Sequence, residues 1–590
     1  MRYAGIIQGR FIERINRFIA RVEVGSGPGT HREEVHVKNT GRCSELFLPG
    51  AEVFLCPQGG TGRRTAYDLV AVRKGEMLVN VDSQAPNAVV REWLEAGGLV
   101  SAPFVRPEAT YGNSRFDFYV EAGERRILLE VKGVTLERQH IALFPDAPSE
   151  RALKHVQELI RARREGYECF VLFVIQMKGA SCFTPNRYAQ PMLAEALSQA
   201  EQAGVRILAY DCQVDADGLR LDKPVPVMLD VEKQALSHIA VPLLSWYDRC
   251  RRRLPWREQP TPYRVWISEI MLQQTRVEAV KPYFERFMDR LPDVEALAKA
   301  PEDELLKLWE GLGYYSRARN LQSAARQIME EYQGQMPSEY GELLRLKGIG
   351  SYTAGAIASI AFHRAVPAVD GNVLRVISRL LEDGEDIMNP SVRNGLEKAL
   401  SGVMPKDRPG DFNQALMELG AMVCLPNGRP KCDQCPWEMI CQANLHGTQE
   451  EFPRRSKKKA RTIEEKTILV LQDAQRAAIR KRPSGGLLAG MYEFPSLEGH
   501  ASREEVLAWL KAHGLHAVRI RELPASRHIF THKEWHMTGY SVLVDELEPM
   551  RADRTLLFVR PQETEEKYPI PSAFAVYAGY LHIRTGKERM

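Results

Sequence analysis

LLRLKGIGSYTAGAIASIAFHRAVPAVDGNVLRVISR, residues 343–379, is the stretch on which the reading of this chain turns. Its Leu, Ile and Ala spacing predicts a helix, a tight turn at Gly348-Ile349-Gly350, and a second helix. Gly348 and Gly350 let backbone approach another molecule closely. The free amides at the start of the second helix, Ser351 to Thr353, suit a DNA phosphate in the field of the helix dipole. A Gly-x-Gly turn also closes plain helical corners, so the neighbourhood carries the weight. Asp370 stands in a turn directly before a third helix, where a carboxylate is ordinarily an N-cap. Tyr352 and Asn372 keep it company.

Working outward, PYRVWISEIMLQQT (262–275) sets Glu269 in an apolar helical face. Burial there would raise its pKa and let it act as an acid, whereas a solvent-facing glutamate would do nothing of the kind. On the other side, Cys424, Cys432, Cys435 and Cys441 form C-x7-C-x2-C-x5-C, with Pro426, Gly428, Pro430 and Pro436 between them. Four thiolates this close suit one metal centre. Spacing alone leaves a structural zinc knuckle and a 4Fe-4S cluster about equal.

The chain has 590 residues, more than one core can serve, with 44% apolar and 26% charged residues, as in ordinary globular protein. The longest apolar run, Cys169 to Ile175, is far short of the roughly 20 residues that span a bilayer, and no signal-peptide pattern is read at the start. A cytoplasmic protein with no membrane partner, and a monomer, is the expectation. A net charge of +4 proves no nucleic-acid partner. Local clusters say more: Arg249, Arg251, Arg252 and Arg253 form one, and Arg454, Arg455, Lys457, Lys458, Lys459 and Arg461 form another. Ten cysteines in a reducing compartment are thiols, and the six outside the cluster read as core or surface residues.

The fold class expected is multidomain α/β plus all-α. Residues 1–82 alternate as short strands broken by turns, an OB-like barrel. Residues 83–230 mix strands and helices, an α/β domain. Residues 236–445 are almost wholly helical, 446–465 form a basic linker, and 466–590 form a strand-rich domain that opens on TILVLQD. In the second of these, RFDFYVEAGERRILLEVKGVTL (115–136) holds Asp117, Glu130 and Lys132, an Asp-x12-Glu-x-Lys pattern on adjacent strands. Two acids can hold a divalent cation while the lysine steadies an attacking water, but an edge strand can carry the same residues idly.

WYDRCRRRLPWR (246–257), SEIMLQQT (268–275), GLGYYSRARN (311–320), the 343–379 stretch, ALMELGAMVC (415–424) and the cysteine loop together resemble the helix-hairpin-helix DNA glycosylases, and within them the A/G-specific adenine glycosylases, the MutY family. The resemblance implies a 4Fe-4S cluster on the four cysteines, although the family's first cysteine gap is commonly six residues and here it is seven. It implies that Glu269 protonates the departing adenine, that Asp370 stabilises the sugar cation, and that Tyr352 and Asn372 orient these acids. Lyase-type relatives carry a lysine where Tyr352 stands, and tyrosine cannot form a Schiff base. Gln274 and Tyr314 match intercalating positions, and Arg257 a contact with the adenine pocket. Residues 481–495, 526–542 and 568–581 resemble the Nudix-like domain that reads 8-oxoguanine, without the Nudix hydrolase metal motif. There Phe530, Thr531 and His532 match the reading loop, with threonine in place of the family's serine. The implied substrate is double-stranded DNA with adenine opposite 8-oxoguanine or guanine. The competing readings are a non-catalytic DNA-binding or regulatory protein and a lyase-type pyrimidine DNA glycosylase.

With HVKNTGRCSELFLPGAEVFL (36–55), NVDSQAPNAVV (80–90) and ALFPDAPSERALKHVQEL (142–159), residues 11–230 resemble the sugar fermentation stimulation protein (SfsA) family. That resemblance implies an OB-like barrel followed by a PD-(D/E)xK nuclease-like fold, with Asp117, Glu130 and Lys132 as its nuclease residues and Mg or Mn as the cation. The activity expected of this half is a metal-dependent nuclease or a DNA-binding module.

Overall fold

The computed structural model describes all residues except 26–28, 40, 60–63, 457–459, 484, 548–549, 551–555 and 584–590. Lys457, Lys458 and Lys459 of the second basic cluster therefore lie outside the described residues.

The chain folds into two compact units, one of Met1–Arg251, Gly371–Ile387 and Gln414–Arg454, the other of Arg252–Asp370, Met388–Asn413 and Arg455–Met590. The helical stretch from residue 236 onward is thus divided between them.

In the first unit, six strands form the barrel: β1 (Ile7–Arg14), β2 (Ile19–Val24), β3 (His31–Val37), β4 (Glu52–Pro57), β5 (Tyr67–Lys74) and β6 (Met77–Asn80). Their order is β3-β2-β1-β4-β5-β6, and a parallel pairing of β3 with β5 closes the sheet. Closure removes the exposed edges that an open sheet must protect.

A second sheet follows, built from β7 (Phe104–Tyr111), β8 (Ser114–Ala122) and β9 (Arg125–Val134). After the short β10 (Leu136–Arg138) and β11 (Ile141–Phe144) come β12 (Glu168–Ile175), β13 (Cys182–Pro185), β14 (Arg206–Asp215) and β15 (Gly218–Pro224). Its order is β15-β14-β12-β9-β8-β7. Central β12, ECFVLFVI, pairs in parallel with both β9 and β14 and is buried along nearly its whole length, as a strand covered on both faces must be. The helices Glu150–Arg164 and Pro191–Gln202 pack beside it, the first capped by the Ser149 side chain.

In the second unit, the helices from Pro262–Leu272 to Ser351–Ile360 surround a core that includes Trp266, Phe284, Trp309 and Ile357. Thr261 caps the first of these helices and Pro262 opens it. Its neighbours bury it nearly all round, from Val265 through Met271, so its one acid, Glu269, is buried as well.

The final domain has β16 (Thr462–Gln472), β17 (Ala477–Lys481), β18 (Tyr492–Glu493), β19 (Ser496–Glu498), β20 (Ala517–Ile529), β21 (Lys533–Val544) and β22 (Leu556–Val559). The main path runs β18-β17-β16-β21-β20, and β16 lies parallel to β21.

Candidate active site

The helix Pro262–Leu272 and the hairpin helix Ser351–Ile360 pack on one another, and this packing joins Glu269 to Tyr352. The Tyr352 hydroxyl donates to Glu269 Oε2 at 2.5 Å. Glu269 is only 5% exposed. Burial pushes its carboxyl up to about 7, the hydrogen bond from Tyr352 works against that, the Asp370 charge adds to it and Arg257 subtracts. Burial, together with Glu269 and Asp370, holds the Tyr352 phenol well above its ordinary value, so it serves as a neutral donor. Asp370 is half-buried directly ahead of the helix Gly371–Leu381. The structure therefore gathers Glu269, Tyr352, Asp370 and Arg257 within electrostatic reach of one another.

In the hairpin, Gly348 has φ +77°. A Cβ there would stand 2.6 Å from Asn320 Cβ, so both conformation and space demand glycine. Gly350 is extended and acts as the N-cap of Ser351–Ile360 with open space around it. The helix on the other side of the turn is a single turn, Tyr340–Leu343, shorter than the Leu-rich sequence suggests.

Gln274 and Tyr314 are both exposed, Tyr314 at 47%, and both have left-handed backbones, φ +61° and +49°. Non-glycine residues held this way are costly by about 1–3 kcal/mol and cluster where a side chain must be presented. They line a cleft of about 730 Å³ together with Phe530, Thr531 and His532. These three form the turn between β20 and β21: Thr531 and His532 are exposed, while the Phe530 ring meets Trp535 edge-on at 4.9 Å. The hydroxyls of Tyr314 and Thr531 are hydrogen-bonded at 2.8 Å, across 217 residues of sequence.

The four loop cysteines line one pocket with the apolar side chains of Val376, Leu419, Val423 and Trp437. Arg379 Nη1 donates to Cys424 Sγ at 3.3 Å and Gln449 Nε2 approaches Cys432 Sγ at 3.9 Å. Burial pushes the Cys441 thiol up to about 12, and raises Cys432 and Cys435 too, so their ionisation calls for a cation. Among the described residues, no three His, Cys, Asp or Glu side chains converge on a single-ion site. Of the other six cysteines, five are buried and Cys250 is exposed. Asn372, on the same unit as the cysteine loop, accepts from Arg375 Nη2 at 2.9 Å. Arg375 also donates to the carbonyls of Gly420, at 2.8 Å, and Cys424, at 3.0 Å. A Cβ on Gly420 would stand 2.7 Å from Asn372 Cβ, which explains the glycine in ALMELGAMVC.

In the first unit, β8 and β9 run antiparallel with Phe118 opposite Leu129, a register that carries Asp117 alongside Glu130. Asp117 accepts from Val131 N and from Asn87 Nδ2, each at 2.8 Å. Glu130 is 2% exposed, and its Oε1 takes both Lys132 Nζ and His155 Nδ1 at 2.5 Å. Burial works to raise Glu130, but His155 and Lys132 outweigh it and hold the carboxyl below its ordinary value. Asp117 is pushed up, by burial and by the charge of Glu130. Glu130 Oε2 is buried without a hydrogen-bond partner.

Residues 12–81 match the SfsA N-terminal OB domain and residues 84–218 the sugar fermentation stimulation protein RE domain. Residues 267–401 match the HhH-GPD superfamily of base-excision DNA repair proteins, and 467–578 a NUDIX domain. The chain is 37% identical to the human adenine DNA glycosylase over 370 residues, which cover 52% of this chain and 67% of that protein. It is 51% identical over 230 residues to a sugar fermentation stimulation protein homolog of Desulfitobacterium hafniense, covering 39% of this chain and 99% of the relative. The chain belongs to the adenine DNA glycosylase family, joined to an SfsA-family half. It is a base-excision-repair DNA glycosylase, an enzyme whose substrate is DNA. A solved structure of SfsA from Pyrococcus furiosus in complex with Ca2+ is 26% identical, with a TM-score of 0.36, and covers 38% of this chain and 97% of that one. No helix among the described residues is long and apolar enough to cross a membrane.

Within the glycosylase half, sequence reasoning passed over Arg375 and Arg379, whose partners lie on the far side of a fold. In the SfsA half it passed over His155. A lone histidine on the buried face of a helix is ordinarily core, and only the crossing of that helix over β9 makes it a partner of Glu130.

Proposed function

We propose that the enzyme hydrolyses the N-glycosidic bond of adenine mispaired with 8-oxoguanine or guanine, and that it does so without lyase chemistry. The observation that carries this reading is Glu269 itself, buried under the Tyr352 hydroxyl and within the field of Asp370, where burial raises its carboxyl to about 7. A departing purine anion needs a proton, and a carboxyl poised near neutrality can give one. The sugar left behind is cation-like, and the Asp370 carboxylate stabilises it. Tyr352 orients Glu269, and with no amine at this position no Schiff base forms. Asn372, fixed by Arg375, orients the start of the helix that follows Asp370. Arg257 contributes to the base pocket.

The target must leave the stack, and Gln274 and Tyr314 fill or wedge the gap. Amides at Ser351 to Thr353 hold a phosphate beside the Gly348 turn. The Tyr314–Thr531 contact supports a reading cleft for the opposite base, with Phe530 and His532 on its wall. Threonine retains the hydroxyl of the family's serine, and here that hydroxyl is engaged with Tyr314.

Cys424, Cys432, Cys435 and Cys441 hold a 4Fe-4S cluster. The four thiols line one apolar pocket, an arrangement that can hold the cluster the family carries. When bound, the cluster knits the loop to the helix Gly371–Leu381, with Arg379 donating to the Cys424 sulfur. Incubation with duplexes carrying A opposite 8-oxoguanine, A opposite G and A opposite T tests the main reading. Adenine should leave the two mispairs, and loss from neither would overturn it.

For the SfsA half, the unpartnered Glu130 Oε2 favours a second activity, a metal-dependent phosphodiester site of Asp117, Glu130 and Lys132 with Mg or Mn as the cation. Mn2+ titration of the protein and of Asp117→Asn tests it: no difference in binding would remove the site.

A further inference from the structure

The two activities bear on one another through the chemistry of the product. A glycosylase with tyrosine at position 352 leaves an abasic sugar in an unbroken strand, because nothing at that position supplies an amine to open the sugar. That product must next meet a reaction that breaks a phosphodiester bond. The same chain carries, at Asp117, Glu130 and Lys132, the side chains of such a reaction. We propose that the SfsA half hydrolyses the strand at the abasic site that the glycosylase half creates. The proposal rests on the phosphodiester reading of that site and names its substrate.

Three observations carry it. His155 and Lys132 both engage Glu130 Oε1, so the carboxylate is held while Oε2 is left buried and unmatched beside Asp117. A buried carboxylate oxygen with no partner costs free energy unless something fills the gap, and a divalent cation does so. Lys132, half-buried on the same strand, stands where it can steady a water and lower the cost of its deprotonation. Lastly, the SfsA half is docked on the segments that enter and leave the glycosylase rather than strung from them. His140 Nε2 meets the Ser245 hydroxyl at 2.9 Å, Arg249 donates to Gln139 Oε1 at 2.8 Å, and Asn444 donates to the Tyr188 hydroxyl at 2.8 Å. A product released by one half is met by the other at the effective concentration of a single chain, on the order of millimolar for short connections.

In the step itself, the water oxygen bonds to phosphorus and the bond from phosphorus to the sugar oxygen breaks. One proton leaves the water for solvent through the basic groups, one is taken up by the departing oxygen, and no electron changes hands. A bound divalent cation supplies charge neutralisation at the phosphate.

The test uses the full chain, Mg2+ or Mn2+, and two duplexes that differ at one position, a tetrahydrofuran abasic analogue or a normal nucleotide. The analogue has no base to remove and no aldehyde to support elimination, so scission there is hydrolysis. The expected result is scission beside the analogue at least tenfold faster than anywhere in the intact duplex, abolished by chelator and by Asp117→Asn. Mn2+ binding followed by electron paramagnetic resonance, lost in Asp117→Asn, gives the matching readout free of catalysis. Equal scission of both duplexes would overturn the substrate assignment and leave the phosphodiester reading standing. Mn2+ bound with no scission of either would overturn both.

Discussion

Glu269 and Glu130 are buried to nearly the same degree, yet they are driven in opposite directions. Around Glu269 the direct partner is a neutral phenol, a second acid lies nearby, and the carboxyl rises to about 7. Around Glu130 the Lys132 ammonium and the His155 imidazole close on one oxygen, and the carboxyl falls below its ordinary value despite the burial. Burial alone therefore does not assign the protonation state of an acid; the charge of its partners does. The difference suits the two chemistries proposed for them, an acid that gives a proton and a carboxylate that stays ionised beside a cation.

The strongest way to break this contrast is to remove the proton. Glu269→Gln should slow single-turnover adenine release by roughly 10²–10⁴-fold, the usual weight of a general acid. An undiminished rate would place the acid elsewhere. On the other side, His155→Ala strips one of the two partners that hold Glu130 Oε1 and should cost about 3 kcal/mol in urea unfolding, the scale of removing a partner from a buried carboxylate. A cost under about 0.5 kcal/mol would show that His155 does not hold Glu130 in place.

Varying pH sharpens the comparison. Glu269 is raised above its unfolded value, so its contribution to stability is complete below about 4.5 and is lost as pH rises through about 7. Glu130 is lowered, so its contribution is present above about 4.5 and is lost as the pH falls through its folded value. Glu269→Gln should therefore gain stability over wild type only toward alkaline pH, by up to about 3 kcal/mol, and Glu130→Gln should gain none there. Adenine release should fall about tenfold per unit above pH 7 as the Glu269 proton is lost. A rate flat from pH 6 to 9 would separate the acid from the chemistry. The smallest effect concerns the reading cleft. Thr531→Val removes the hydroxyl that meets Tyr314, worth about 1 kcal/mol, and should lower the preference for 8-oxoguanine over guanine about fivefold. Thr531→Ser should keep it.

Much of this was legible along the chain. Periodicity marked the barrel strands, the buried run of β12 and the helices from 236 onward, because alternation and 3.6-residue spacing are local consequences of which face is covered. Gly348 was legible as well, since a left-handed turn writes glycine into the sequence. The candidate site was legible as residue types at telling spacings: Glu269 in an apolar face, Asp370 before a helix, four cysteines within one loop.

Pairings between distant segments were not. His155 lies 25 residues from Glu130, and Thr531 lies 217 from Tyr314. Neither leaves a trace in local pattern, since hydrogen bonds of this kind depend on how a helix crosses a strand or where a hairpin turn ends. Arg375 reads as one more helical arginine until its carbonyl partners at Gly420 and Cys424 are known. The sequence by itself determined which elements form and which acids, thiols and glycines they carry, because covalent spacing and burial periodicity are properties of the chain. Tertiary structure alone decided that the Glu269 carboxyl is raised and the Glu130 carboxyl lowered, and that the SfsA half is docked on the segments flanking the glycosylase. Those outcomes depend on partners that only the folded chain brings within a few ångströms.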